Sequence, residues 1–177
     1  MRLAAKVGFD VPNVSMFSVE NVDYYLVERY DRKINKDGYI TKLHQEDFCQ
    51  ALSIPPEMKY EEEVGPGITQ GQNLLQSSTR RPAADRLTLQ RMIIFHYLVG
   101  NADADAHAHA KNYSLLYREN TPDLAPMYDV LCTAAYPSLA KQMVLKIGER
   151  NRSDTIRFKD GSFFCSRNQS SGQGIEK

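Results

Sequence analysis

The residues best suited to chemistry lie in one short segment. Asn101-Ala102-Asp103-Ala104-Asp105-Ala106-His107-Ala108-His109-Ala110-Lys111-Asn112 puts two carboxylates, two imidazoles, a lysine and two carboxamides within twelve positions, and Asp129 follows seventeen positions later in Pro126-Met127-Tyr128-Asp129. Phosphoryl transfer needs such a set: one carboxylate to accept or orient the proton of an attacking hydroxyl, and a carboxamide plus a second carboxylate to offer hard oxygens to Mg²⁺. Two bland readings stand beside this one. Small polar clusters after helices are more often solvated loops than sites, and a His-x-His pair is more often unliganded than metal-bound. A transition-metal hydrolase using Asp103, Asp105, His107 and His109 around Zn²⁺ or Mn²⁺ is a third reading; its i, i+2 histidines require an extended backbone to face one way.

Positioning this segment requires a helix before it and a hairpin after it. Residues 83–99 form the clearest helix, with Pro82 near its start and Gly100 just past its end. Its residues Leu89, Met92, Ile93, Phe95, Tyr97 and Leu98 are dense enough to predict burial on more than one side. Strands are expected at 113–117 and 124–125, joined through Asn120-Thr121-Pro122-Asp123, so the chain can return Asp129 to the cleft holding Asn112. Upstream, residues 2–7 read as the end of a helix, and 14–17 with 24–29 as a hairpin turning at 18–21. Asp37-Gly38 marks a turn before a strand at 39–41. Residues 45–52 read as helix stopped by Pro55-Pro56, 60–67 as an acidic surface loop, and 143–147 as a last strand. His44 and His96 are expected to be packing or surface residues.

These residues also resemble a known family. Val27-Glu28-Arg29-Tyr30-Asp31-Arg32, Gln45-Glu46-Asp47-Phe48-Cys49-Gln50, Lys59-Tyr60 followed by Gly65-Pro66-Gly67, His109-Ala110-Lys111-Asn112-Tyr113-Ser114 and Leu124-Ala125-Pro126-Met127-Tyr128-Asp129 occur in the order and spacing of the C-terminal region of HipA-like serine/threonine kinases. The similarity runs from about residue 3 to about residue 150. It implies an α+β fold: a mainly helical, protein-kinase-like C-lobe with a hinge and short β-hairpins. The end of the N-lobe and the hinge would occupy residues 1–32, the C-lobe 33–150, and a loose tail 151–177. The resemblance further implies ATP and Mg²⁺ as cofactors. The hinge Glu28-Arg29-Tyr30 would meet the adenine through its backbone, His109, Ala110, Lys111, Asn112 and Tyr128 would line the nucleotide, and Asn112 and Asp129 would ligate the metal. The implied partners are a HipB-like DNA-binding antitoxin and a protein substrate, a tRNA synthetase in the family.

Two departures bear on activity. The family pattern Asp-x-His-x-Lys-Asn places its catalytic aspartate five positions before the Asn, where this chain has His107. The loop reads as stretched by four residues: from the helix side Asp103 takes the catalytic place, and with a single His-Ala insertion Asp105 does. Asp105 is preferred, and both stay open. The second departure is that the family's phosphate-covering loop and nucleotide lysine precede the matched segment, while further helices would follow Gly148. The chain is therefore expected to be truncated at both ends and weak or inactive alone. A separate N-terminal chain, or a split or frameshifted gene, would account for the missing front. A non-catalytic toxin remnant that binds the antitoxin is the competing reading.

Bulk properties narrow the classes further. Of 177 residues, 22 are Lys or Arg and 22 are Asp or Glu, so the chain carries no net charge and is not built to coat nucleic acid, although Arg80 and Arg81 could form a local basic patch. The three cysteines are odd in number and widely spaced, which argues against a disulfide framework and for a reducing, cytoplasmic setting. No apolar run reaches membrane-span length.

Overall fold

The computed structural model describes residues 1–55, 66–101 and 110–136, together with the backbone of strands 142–147 and 150–152. Two substantial helices and nine short strands occur among them, an α+β arrangement in which strands contribute about as much as helices. The expected "mainly helical" character is not what these residues show.

The chain opens with α1 (Arg2–Lys6) and the antiparallel hairpin β1 (Val14–Val19) and β2 (Val22–Val27). Its turn is tighter than expected from sequence. Only Glu20 and Asn21 link the strands, both at positive φ (50° and 62°), the two-residue geometry that matches strand twist. Residues 18 and 19 are thereby released into the ladder, pairing with Asp23 and Val22. Directly opposed pairs share a face, so Met16 and Tyr25 lie on one side and Phe17 and Tyr24 on the other; all four are exposed.

A second hairpin, β3 (Arg32–Ile34) with β4 (Ile40–Lys42), turns at Gly38, whose φ of +80° suits glycine. The expected helix over 45–52 is replaced by strand β5 (His44–Asp47) and a short α2 (Phe48–Ala51). A reciprocal cap explains the change. The Asp47 carboxylate accepts from the Gln50 backbone N–H at 2.8 Å, and the Gln50 side chain accepts from the Asp47 N–H at 2.9 Å. This cap fixes the helix start at Phe48 and leaves Gln45 and Glu46 free to pair with a strand.

Helix α3 (Ile68–Ser78), missed in the sequence, packs on α4 (Pro82–Val99). Gly71 lets α3 approach closely: a Cβ there would lie 3.1 Å from the Phe48 ring and 3.4 Å from Leu89. Helix α4 buries Leu89, Met92, Ile93, Phe95, His96 and Tyr97. Leu98, expected to be covered, is 79% exposed, as are Leu87 and Ile94 in part, so one side of the helix remains open. A 3-10 turn (Ala110–Asn112) leads into β6 (Ser114–Tyr117), which pairs with β5 on one side and β7 (Asp123–Leu124) on the other. Leu75, Leu89, Ile93 and Leu115 are fully buried in the core that this sheet shares with the two helices, and Leu116, on the opposite face of β6, is fully buried as well.

Strands β8 (Gln142–Ile147) and β9 (Arg150–Arg152) form a final hairpin, the second strand unexpected from sequence. The rest of the expected tail, 153–177, lies outside the described residues. Arg80 and Arg81 form no free basic patch. Arg80 lies 2.6 Å and Arg81 3.4 Å from the buried Asp123 carboxylate, Arg118 lies 3.7 Å from it, and Arg81 reaches Asp85 at 3.7 Å. No helix among the described residues is long and apolar enough to cross a membrane.

Candidate functional site

The site is assembled where β2 runs into β3, where α4 ends, and where the chain leaves β7. At the first of these, the Glu28 N–H donates to the Asn13 carbonyl (2.9 Å), and the Glu28 carboxylate accepts from the Asn13 side chain (2.7 Å), so this side chain faces away from the core. Arg29 folds back onto Asp31 through two bonds of 2.7 and 2.6 Å. Arg29 and Arg32 together hold the buried Asp31 carboxyl down at about 2. Ion-pairing of Asp31 from both sides stiffens the segment that carries Tyr30.

Tyr30 is half-buried against Tyr128, their ring centroids 5.9 Å apart. Removal from water pushes the Tyr30 phenol up to about 12, against a lowering by its hydrogen bond with the Gln45 side chain. Gln45 also donates to the Ser114 hydroxyl at 3.2 Å, which meets the Tyr128 hydroxyl at 2.7 Å. The Tyr128 hydroxyl in turn donates to the Lys111 carbonyl at 2.6 Å. A continuous polar chain thus ties Tyr30 to the turn bearing Lys111 and Asn112 and to the loop bearing Tyr128 and Asp129. Burial raises the Tyr128 phenol as well, so it stays a neutral donor at ordinary pH.

Asn112 is buried at the end of the 3-10 turn, and Ala110 beside it joins the apolar core. Asp129 is exposed and has a φ of +55°, a left-handed backbone uncommon outside glycine. Its carbonyl accepts from the Asn101 side chain at 3.3 Å. The Lys111–Tyr128 bond brings the chain positions next to Asn112 and Asp129 together. A carboxamide and a carboxylate offer the hard oxygens that Mg²⁺ favours, so these residue types fit that ion.

Of the sequence candidates, the structure links Tyr30, Tyr128 and the Lys111 main chain directly, and Asn112 and Asp129 are the next residues along the chain from two of these. Glu28 and Arg29 direct their side chains elsewhere, which leaves only their backbone for a ligand. Asp103, Asp105, His107 and His109 lie outside the described residues. His44 is exposed against Tyr117, and His96 is fully buried, its imidazole pushed down to about 4 by loss of solvent. Three contributors escaped the sequence reading. Gln45 was hidden by the helix expected over it, Ser114 by its place in a strand, and Asn101 by its place as the first residue of a polar loop.

A family model described as the HipA-like C-terminal domain matches residues 1–175. The kinase candidate Y4mE of Sinorhizobium fredii is 48% identical over 150 residues, covering 85% of this chain and 35% of that protein. The serine/threonine-protein kinase toxin HipA of Shewanella oneidensis is 31% identical over 167 residues, covering 88% of this chain and 38% of the relative. A solved complex of Shewanella oneidensis HipA with HipB and operator DNA contains a chain that superposes with a TM-score of 0.83 at 28% identity, over 93% of this chain and 40% of that one. The chain therefore spans little more than a third of the length of these relatives. On the extent of the family match, this chain belongs to the HipA-like C-terminal domain family.

Proposed function

We propose that the chain supplies the hinge, nucleotide-lining and metal-binding parts of a serine/threonine kinase C-lobe, acting with ATP and Mg²⁺ to transfer a phosphoryl group to a protein hydroxyl. The observation that carries this reading is the polar chain from Tyr30 through Gln45, Ser114 and Tyr128 to the Lys111 carbonyl. It ties the segment proposed to meet adenine to the two loops proposed to meet the phosphates. Phosphoryl transfer relies on positioning and charge more than on covalent chemistry, so such a brace has a direct use.

In this reading Tyr30 and Tyr128 offer half-buried ring surface beside the nucleotide, and the Glu28–Tyr30 backbone offers donors and acceptors to the base. Asn112 and Asp129 would hold Mg²⁺, which when bound neutralises phosphate charge. Lys111 lends its side-chain charge toward the phosphates while its carbonyl anchors Tyr128. Asp103 or Asp105, with Asp105 preferred, orients the attacking hydroxyl. A cytoplasmic tRNA synthetase is the substrate class proposed from the family, and a HipB-like antitoxin is the proposed partner. The HipB present in the solved Shewanella oneidensis complex favours that partner.

Because the chain is expected to be weak or inactive alone, the test is transfer of label from γ-labelled ATP to serine or threonine by the chain complemented with the N-terminal part of a HipA-like kinase, with Asp103→Asn and Asp105→Asn compared. Loss of transfer in one variant of the pair assigns the catalytic carboxylate. Transfer that survives in both, or in Asp129→Asn, contradicts the reading.

A further inference from the structure

The C-terminal end of α4 holds a polar arrangement that stability alone does not explain. Gly100 is left-handed (φ +63°) and its N–H bonds the Tyr97 carbonyl, while the Asn101 N–H bonds the His96 carbonyl at 2.9 Å. This pair of bonds is the Schellman closure of a helix. It fixes the Asn101 main chain to the same turn that carries the His96 ring. The Asn101 side chain then spends both of its N–H donors: one on His96 Nδ1 at 2.7 Å, the other on the Asp129 carbonyl at 3.3 Å. Asn101 is 1% exposed and its Oδ1 finds no hydrogen-bond partner among the described residues.

Two features make this more than a cap. A buried amide oxygen without a partner is costly, and among the described residues the neighbouring His96 Nε2 and Tyr113 hydroxyl also find none. An end selected for stability would avoid all three. The amide is also aimed at a residue whose own backbone is unfavourable, since Asp129 sits at φ +55° and needs outside contacts to hold it there. A second tether shares the task. The Gly100 carbonyl accepts from the Ala134 N–H and the Thr133 hydroxyl, both at 3.0 Å, so the chain beyond Asp129 is docked on the same helix end.

We propose that Asn101 is a positioning residue that sets the Asp129 carboxylate for metal by holding the Asp129 carbonyl, with the His96 ring fixing which way the Asn101 amide points. This rests on Asp129 being a metal ligand as proposed above. The Asp129 carbonyl can only accept, so the amide presents N–H there, and the same nitrogen then meets His96 Nδ1 as an acceptor, the imidazole holding the amide in that orientation.

The test measures Mn²⁺ affinity by electron paramagnetic resonance on the protein bound to adenylyl imidodiphosphate, without turnover. Melting temperature and metal-free nucleotide affinity are measured in parallel. Asn101→Ala is expected to weaken Mn²⁺ binding about tenfold or more while metal-free nucleotide affinity stays within about twofold, in line with the cost of removing a partner that orients a ligand. Thr133→Val, which loses a bond at the same helix end, is expected to lower the melting temperature and leave Mn²⁺ affinity unchanged. If Asn101→Ala fails to fold, His96→Phe keeps ring packing and the main-chain closure and reads the same effect. Mn²⁺ binding within about twofold of the parent in Asn101→Ala or His96→Phe, alongside clear weakening in Asp129→Asn, overturns the role of Asn101 and leaves the metal site standing. Equal losses in Thr133→Val and Asn101→Ala reduce Asn101 to a helix cap. Unchanged binding in Asp129→Asn removes the metal site and this proposal together.

Discussion

The two ends of α4 are built on opposite principles. At its N-terminal end two buried carboxylates are fully engaged: Asp85 faces Arg81 and accepts from the Leu124 N–H, and Asp123 is met by Arg80, Arg81 and Arg118. At its C-terminal end three buried polar atoms, on His96, Asn101 and Tyr113, find no hydrogen-bond partner among the described residues. Satisfied buried charge locks β7 onto the helix; unsatisfied buried polarity is tolerated where the chain must aim a side chain. Stability is concentrated at one end and spent at the other.

The largest expected effect is at Gly100. A Cβ there would lie 2.6 Å from that of Ala134, and the left-handed backbone disfavours any side chain. Gly100→Ala should cost ~3 kcal/mol in denaturant unfolding. A loss comparable to an exposed-surface substitution would show that the helix end is not tightly docked.

Acid should separate the ends next. His96 titrates near 4 in the fold and near 6.5 when unfolded, so the unfolded chain binds the extra proton first. Stability is then full above about pH 6.5 and falls by roughly 3 kcal/mol as pH drops toward 4. His96→Phe should abolish this limb. The Asp31 carboxyl, held at about 2 against an ordinary 3.8, contributes above about pH 4 and loses that contribution as pH falls toward 2. Its limb should survive in His96→Phe. A melting-temperature profile against pH checks both; a His96→Phe profile that still falls between pH 6.5 and 4 would place the titrating group elsewhere.

At the other end, Asp123→Asn should destabilise by ~2 kcal/mol, because its partners are arginines that can turn to solvent and are not stranded. Smaller still is Arg80→Ala, since Arg81 and Arg118 remain on the carboxylate, and its melting temperature should move less than that of Asp123→Asn. Equal shifts in the two would mean that Arg80 alone carries the lock.

The contrast also explains what was legible in the sequence. Helix α4 was plain from Pro82, Gly100 and its apolar run, and the return of β6 and β7 from turn residues at 120–123. Local rules governed those elements. Gln45 was misread because its strand state depends on a partner strand some seventy residues away and on a cap that begins the helix three residues later than the pattern suggests. Helix α3 was missed because its buried face includes Gly71 and Gln72, residues that carry no apolar signal. Asn112 and Asp129 could be named from a family pattern, but Asn101 could not, because its use depends on the geometry with which the helix closes.

The central claim is that Asn112 and Asp129 hold a metal that in turn holds ATP. Titration calorimetry of ATP into the protein, with and without Mg²⁺, tests it most directly. The account predicts binding that strengthens at least about tenfold with Mg²⁺, and loss of that gain in Asp129→Asn and in Asn112→Ala. ATP affinity that ignores Mg²⁺, or a Mg²⁺ gain that survives in both variants, would contradict it.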